Sequence, residues 1–151
     1  MIVPLRIDEW LQDSGFSENL RHGKNRSGLT PLMEAARQGN HEAVRHLLAH
    51  GADVLAINDD GNNALWLACH AGNLEIIHLL IDAGISLNHQ NLTGATCLMF
   101  AASTGKHEVV SVLMARGAEQ ALRTYDDFSA LDLASTEACL NLLRPPKRSR
   151  I

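Results

Sequence analysis

At 151 residues, 46% of them hydrophobic and 20% charged, the chain holds material for one compact domain and too little for two of ordinary size. Aromatic residues make up only 4%, so a core must be assembled from Leu, Ile, Val and Ala, which favours closely packed helices. The formal net charge of -4 leaves no excess of positive charge to condense onto phosphates, and a nucleic-acid role is disfavoured from the start.

Along the chain, Arg6, Asp8 and Glu9 stand where a secretory signal would need its apolar run, and no stretch approaches the ~20 apolar residues that span a bilayer. Residues 1–24 read as an N-terminal capping segment. Asp8 to Asp13 and Phe16 to Leu20 form two short helical pieces around Ser14-Gly15, with Trp10, Leu11, Phe16 and Leu20 available to cover a neighbouring apolar face.

From residue 25 the chain repeats itself with a step of 33. Gly28, Gly61 and Gly94 keep that step, as do Gly39, Gly72 and Gly105, and then Gly51, Gly84 and Gly117. Apolar positions share the register: Leu32, Leu65, Leu98 and Leu131; Ala35, Ala68, Ala101 and Ala134; Val44, Ile77 and Val110; Leu47, Leu80 and Leu113. Thr30, Asn63, Thr96 and Ser129 recur likewise. Each carries a side-chain oxygen able to accept from the free N–H groups of a first helical turn, so they mark helix starts. Pro31 follows the first of them, where its missing N–H costs nothing.

Within one unit the spacing predicts a helix from Pro31 to Gln38 stopped by Gly39, and a second from about His41 to His50 stopped by Gly51. Ala52 to Gly61 then reads as a short extended arm with a tight turn at Asn58-Asp59-Asp60-Gly61. Neither helix is long enough to stand alone in water, so each unit must lean on its neighbours.

Gly28-Leu29-Thr30-Pro31-Leu32-Met33-Glu34-Ala35-Ala36, then Gly39-Asn40-His41-Glu42-Ala43-Val44, then Leu47-Leu48-Ala49-His50-Gly51-Ala52-Asp53-Val54, make a pattern that resembles the ankyrin repeat. The resemblance implies an all-α solenoid of stacked helix-turn-helix pairs with short β-hairpin-like arms. Units fall at 25–57, 58–90 and 91–123, with a shortened C-terminal capping repeat at 124–144 and a disordered basic tail at 145–151. That tail, with its paired prolines, is a solvated or vector-derived end, a localisation signal or a docking arm. The histidine that the family carries after Thr-Pro-Leu is replaced by Met33, Trp66, Met99 and Asp132, so its hydrogen bonds must be lost or replaced. In the fourth unit the Gly turn between helices is missing, and Ala138 to Leu143 aligns with a second helix after a loss of four residues.

Signatures of chemistry are sparse. His41-Glu42 and His107-Glu108 lack the second His of a zinc-hydrolase helix, with Arg45 and Ser111 in its place. His46 and His50 lie four apart on a helix, yet His46 takes the position of Leu79 and Val112, which points to packing. Cys69, Cys97 and Cys139 are odd in number and lack a C-x-x-C pair, which argues against a disulfide framework or a zinc knuckle and for a reducing compartment. Cys69 and Cys97 read as small apolar substitutes. No phosphate loop, nucleophile elbow or dinucleotide fingerprint is present. The expected cofactor and metal content is therefore none.

In the ankyrin family the recognition surface is formed by the arm tips and the exposed face of the first helices. The resemblance carries this onto Arg26, Leu29, Met33 and Arg37 in the first unit, and Asp59, Asp60, Asn62, Trp66 and His70 in the second. It continues onto Leu92, Thr93, Met99 and Ser103 in the third, and Tyr125, Asp126 and Phe128 in the fourth. Met33, Trp66 and Met99 admit two readings: outward-facing anchors of an interface, or packing between adjacent units. From Arg45 to Lys106 there is no Lys or Arg, while Asp53, Asp59, Asp60, Glu75 and Asp82 add five negative charges. Asp59 and Asp60 then either steer a basic partner surface or keep an exposed turn soluble.

The expectation is a cytoplasmic, non-enzymatic module, monomeric when free, that binds a protein partner through its concave surface. It would act as inhibitor, assembly factor or accessory subunit, with neither nucleic acid nor membrane as ligand. The alternatives are a metal-dependent enzyme using the His residues, or nucleic-acid binding.

Overall fold

The computed structural model describes residues 6–16 and 23–145, and they form helices joined by tight turns. After α1 (Ile7–Asp13) come four helix pairs: α2 (Pro31–Gln38) with α3 (His41–Ala49), α4 (Ala64–Ala71) with α5 (Leu74–Asp82), α6 (Cys97–Ser103) with α7 (His107–Ala115), and α8 (Ala130–Leu133) with α9 (Glu137–Leu143). First helices stack on first helices, α2 on α4, α4 on α6 and α6 on α8; second helices α3, α5, α7 and α9 stack alongside as an outer row. The result is a solenoid in which each pair leans on its neighbours.

Local chemistry starts the helices where the step of 33 places them. Thr30, Asn63, Thr96 and Ser129 accept from the backbone N–H three residues on, at Met33, Trp66, Met99 and Asp132, over 3.1–3.3 Å. Asn40, Asn73 and Thr136 do the same for α3, α5 and α9, whereas Lys106 at the head of α7 makes no such bond. Gly39 and Gly72 turn the chain in the left-handed region between the paired helices. The core runs continuously through the stack, from Leu32 and Val44 through Leu65, Ile77 and Leu80 to Leu98, Val110, Leu113 and Leu143.

α1 stands where a capping segment was expected, with Leu11 and Phe16 buried and Ile7 and Trp10 packed against the core. Trp10 Nε1 donates to Gln38 Oε1 at 2.9 Å, and Asn25 Nδ2 to the Ser14 carbonyl at 3.1 Å. Of the expected second helical piece, Phe16 to Leu20, all but Phe16 lies outside the described residues, as does the basic tail beyond Pro145. In the fourth pair α8 is a single turn and α9 follows after three residues.

Candidate functional site: the arm row and the aromatic groove

The arms contain no strand among the described residues, and the first three each close as a hydrogen-bonded turn built on one asparagine. Asn58 Oδ1 accepts from Asp60 and Asn62 N–H at 3.0 and 2.9 Å, while Asn58 N–H donates to the Asn62 carbonyl at 2.9 Å. Asn25 and Asn91 repeat this arrangement with Ser27 and Leu29, and with Thr93 and Ala95. In the fourth arm Thr124 takes over, its hydroxyl accepting from Phe128 N–H at 3.1 Å. A short polar side chain folded back on its own backbone replaces the second strand of a hairpin.

Successive arms are also joined. Leu92 N–H donates to the Asp60 carbonyl at 3.1 Å and Tyr125 N–H to the Thr93 carbonyl at 3.0 Å, which ties the second, third and fourth tips into one row. This proximity is available because Gly61 and Gly94 have no side chain: a Cβ on Gly94 would lie 2.8 Å from the Tyr125 nitrogen, and one on Gly61 2.9 Å from that of Leu92. Behind the tips, Asn91 Nδ2 donates to Asn62 Oδ1 at 2.9 Å, and a ring nitrogen of His89 lies 2.6 Å from the Gly61 carbonyl oxygen.

Beside this row, on the α4–α6 side, lies an open groove of about 240 Å³ lined by Trp66, Asn91, Thr93, Ala95, Met99, Phe100, Ser103 and Leu133. Two rings, Trp66 and Phe100, line it, and His70 packs against Phe100. The centroids of Trp66 and Phe100 are 5.1 Å apart, and those of His70 and Phe100 5.6 Å, in tilted arrangements within the favourable range for aromatic pairs. Trp66 and Phe100 are half-buried and His70 is exposed.

The sequence-predicted positions divide into two groups, with half-buried Trp66 between them. Arg26, Arg37, Asp59, Asp60, His70, Thr93, Ser103 and Asp126 are exposed, together with Leu92 (66%), Tyr125 (75%) and Phe128 (48%). Leu29, Met33, Asn62 and Met99 are buried, the two methionines only 1% exposed, so the outward-facing reading of these four is corrected. The methionines sit at the third position of α2 and α6, within the core that runs continuously through the stack. For Met33 and Met99, packing between units is what the structure shows; Trp66, one repeat position alike, keeps part of its ring in solvent. Met99 also replaces the family histidine, its Sδ accepting from the Thr96 N–H at 3.5 Å; Asp132 does so in the fourth unit, accepting from Ser129 N–H at 2.9 Å. The Ser129 backbone and hydroxyl, with a smaller contribution from Arg123, hold the Asp132 carboxyl below the usual range.

Phe100 was missed by the sequence reading. Its signal was present: Glu34, Leu67, Phe100 and Leu133 share the step of 33 and change from carboxylate to aliphatic to aromatic between copies, as a position free of the frame should. In the first unit that position holds a buried carboxylate. Burial raises the Glu34 pKa, but hydrogen bonds from Arg37 and Gln38, the Arg37 charge and a bond from Asn25 outweigh it, and the carboxyl stays below 4.5.

Elsewhere, His46 and His50 stack at 4.1 Å, and His41, Arg45 and Glu75 form an ion cluster on the outer row. No group of three His, Cys, Asp or Glu among the described residues is arranged to hold a metal. The three cysteines are free and buried; contact with Cys69, and then burial, push the Cys97 thiol up, away from the reactive thiolate. No described helix is long and apolar enough to cross a membrane.

A repeating helix pair with its arms joined in a row defines a solenoid interaction scaffold. The sequence profile described as "Ankyrin repeats (3 copies)" matches residues 7–91 and 72–146, and the chain belongs to the ankyrin repeat family. Among solved structures it is similar to the ankyrin repeat domain of Bcl-3, described as a unique member of the IkappaB protein family, at 29% identity and a TM-score of 0.79 over 91% of this chain. The chain spans 61% of that domain's length. Comparison with curated proteins returns no significant match. Ankyrin repeats are a protein-interaction module, and the exposed row and groove are where this one presents side chains beyond its frame.

Proposed function

We propose that this chain is a non-enzymatic protein-binding module whose partner docks on the arm row and the Trp66–Phe100 groove. The observation that carries this reading is the half-buried ring pair of Trp66 and Phe100, with exposed His70 against Phe100, opening onto a groove beside the tied arm tips. Protein interfaces concentrate their binding energy in a few large side chains set in such depressions, and the chain has few aromatics to place. A surface held by hydrogen bonds within and between the arms is preformed, so little ordering cost opposes association.

Exposed carboxylates at Asp59, Asp60 and Asp126 support a partner with a basic patch. We assign the chain a division into capping segment 1–24, repeats 25–57, 58–90 and 91–123, capping repeat 124–144 and tail 145–151. The role we assign is that of inhibitor, assembly factor or accessory subunit, acting as a monomer in the cytoplasm, where free cysteines stay reduced. The test is affinity capture from the native cell with wild-type and Trp66→Ala baits, followed by calorimetry on the captured protein. Trp66→Ala should weaken binding by ~2 kcal/mol or more. Unchanged affinity in a folded variant rejects the groove as the docking site.

A further inference from the structure

The groove is smaller than the ~300–1,000 Å³ of ordinary small-molecule pockets and suits one bulky side chain of a protein segment. Its surroundings are polarised. Thr93 on its rim occupies the repeat position of Asp60 in the preceding arm and of Asp126 in the following one. The Leu92-to-Asp60 and Tyr125-to-Thr93 backbone bonds hold these three tips side by side. A carboxylate therefore flanks the groove in each direction along the row. Both are exposed, and no ion pair among the described residues engages either of them, whereas Asp127 and Asp132 nearby are occupied by Arg123.

Spacing turns this into a pattern. Neighbouring helix pairs pack about 8–10 Å apart, so adjacent tips are separated by about that distance. An extended chain advances ~3.3 Å per residue and covers the step in about three residues. We propose that the groove takes an extended segment of a protein partner running along the arm row, with a bulky apolar side chain beside Trp66 and Phe100 and an Arg or Lys about three residues to each side, paired with Asp60 and Asp126. This rests on the protein-binding reading above and names the chemistry of the segment that reading requires.

The probe is a displayed library of random 16-residue peptides selected against the full chain, with chosen peptides resynthesised for fluorescence anisotropy. The expected winners carry a Trp, Phe or Leu flanked at about three residues on both sides by Arg or Lys. Asp60→Lys and Asp126→Lys should each weaken them at least tenfold, as should Trp66→Ala, and raised salt should weaken binding to wild type more than to the Lys variants. Circular dichroism confirms that each variant is folded. Winners without basic flanks that still lose binding in Trp66→Ala overturn the flanking-charge proposal and leave the groove reading standing. Winners insensitive to all three substitutions, or a selection that yields none, overturn both.

Discussion

The joined arm row rests on a close approach that one methyl group would abolish. Gly94 has φ +81°, and a Cβ there would meet the Tyr125 nitrogen at 2.8 Å, its Cδ1 at 3.0 Å and the Thr124 carbonyl carbon at 3.2 Å. Gly117 has a similar φ of +94° but open space around its would-be Cβ. Gly117→Ala therefore registers backbone strain alone, about 1 kcal/mol once the stiffened unfolded chain offsets part of it. Gly94→Ala adds displacement of the fourth arm and loss of the Tyr125-to-Thr93 hydrogen bond, roughly another 1–2 kcal/mol. Urea unfolding of the two variants measures the difference directly. At this chain length each kcal/mol lowers the melting temperature by about 2–4 °C. Equal destabilisation of the two would refute the claim that adjoining arms are held by backbone contact at this glycine, and would remove the basis for treating the tips as one surface.

The Glu34 carboxyl, held below its ordinary value, contributes stability that is complete above pH 4.5 and is lost as pH falls through the lowered folded value. Unfolding free energy of wild type should thus drop more steeply with acid than that of Glu34→Gln; parallel profiles from denaturant titrations would contradict the assignment. Asn91→Ala removes the acceptor for Thr93 and Ala95 N–H and the donor to Asn62, and should cost about 1–3 kcal/mol in the same assay. Asp127 sits at φ +70°, the place that Gly28, Gly61 and Gly94 fill in the other arms. Asp127→Val should destabilise by about 1–2 kcal/mol while Asp127→Gly is tolerated, as thermal melts will report. Ile77, fully buried at the centre of the stack, should cost about 2–5 kcal/mol when cut to Ala, read as a lowered denaturant midpoint with unchanged slope.

Helix starts and helix ends were legible from residues alone because the interactions that place them are local: Thr30 reaches Met33 three residues on, and Asn58 folds over its own turn. The stacking of pairs was legible for another reason, since helices too short to stand alone and repeated at a step of 33 must lean on their neighbours. The direction in which the variable side chains face was decided only in three dimensions. Consecutive helical residues point about 100° apart, and whether Met99 or Phe100 meets solvent depends on how the next arm and helix pair close over α6. Met99 went to the core and Phe100 to the groove rim, where it meets Trp66 from the preceding unit. Likewise, an acidic stretch is visible in the chain, but a pair of unengaged carboxylates flanking one apolar groove exists only once adjacent arms are bonded side by side.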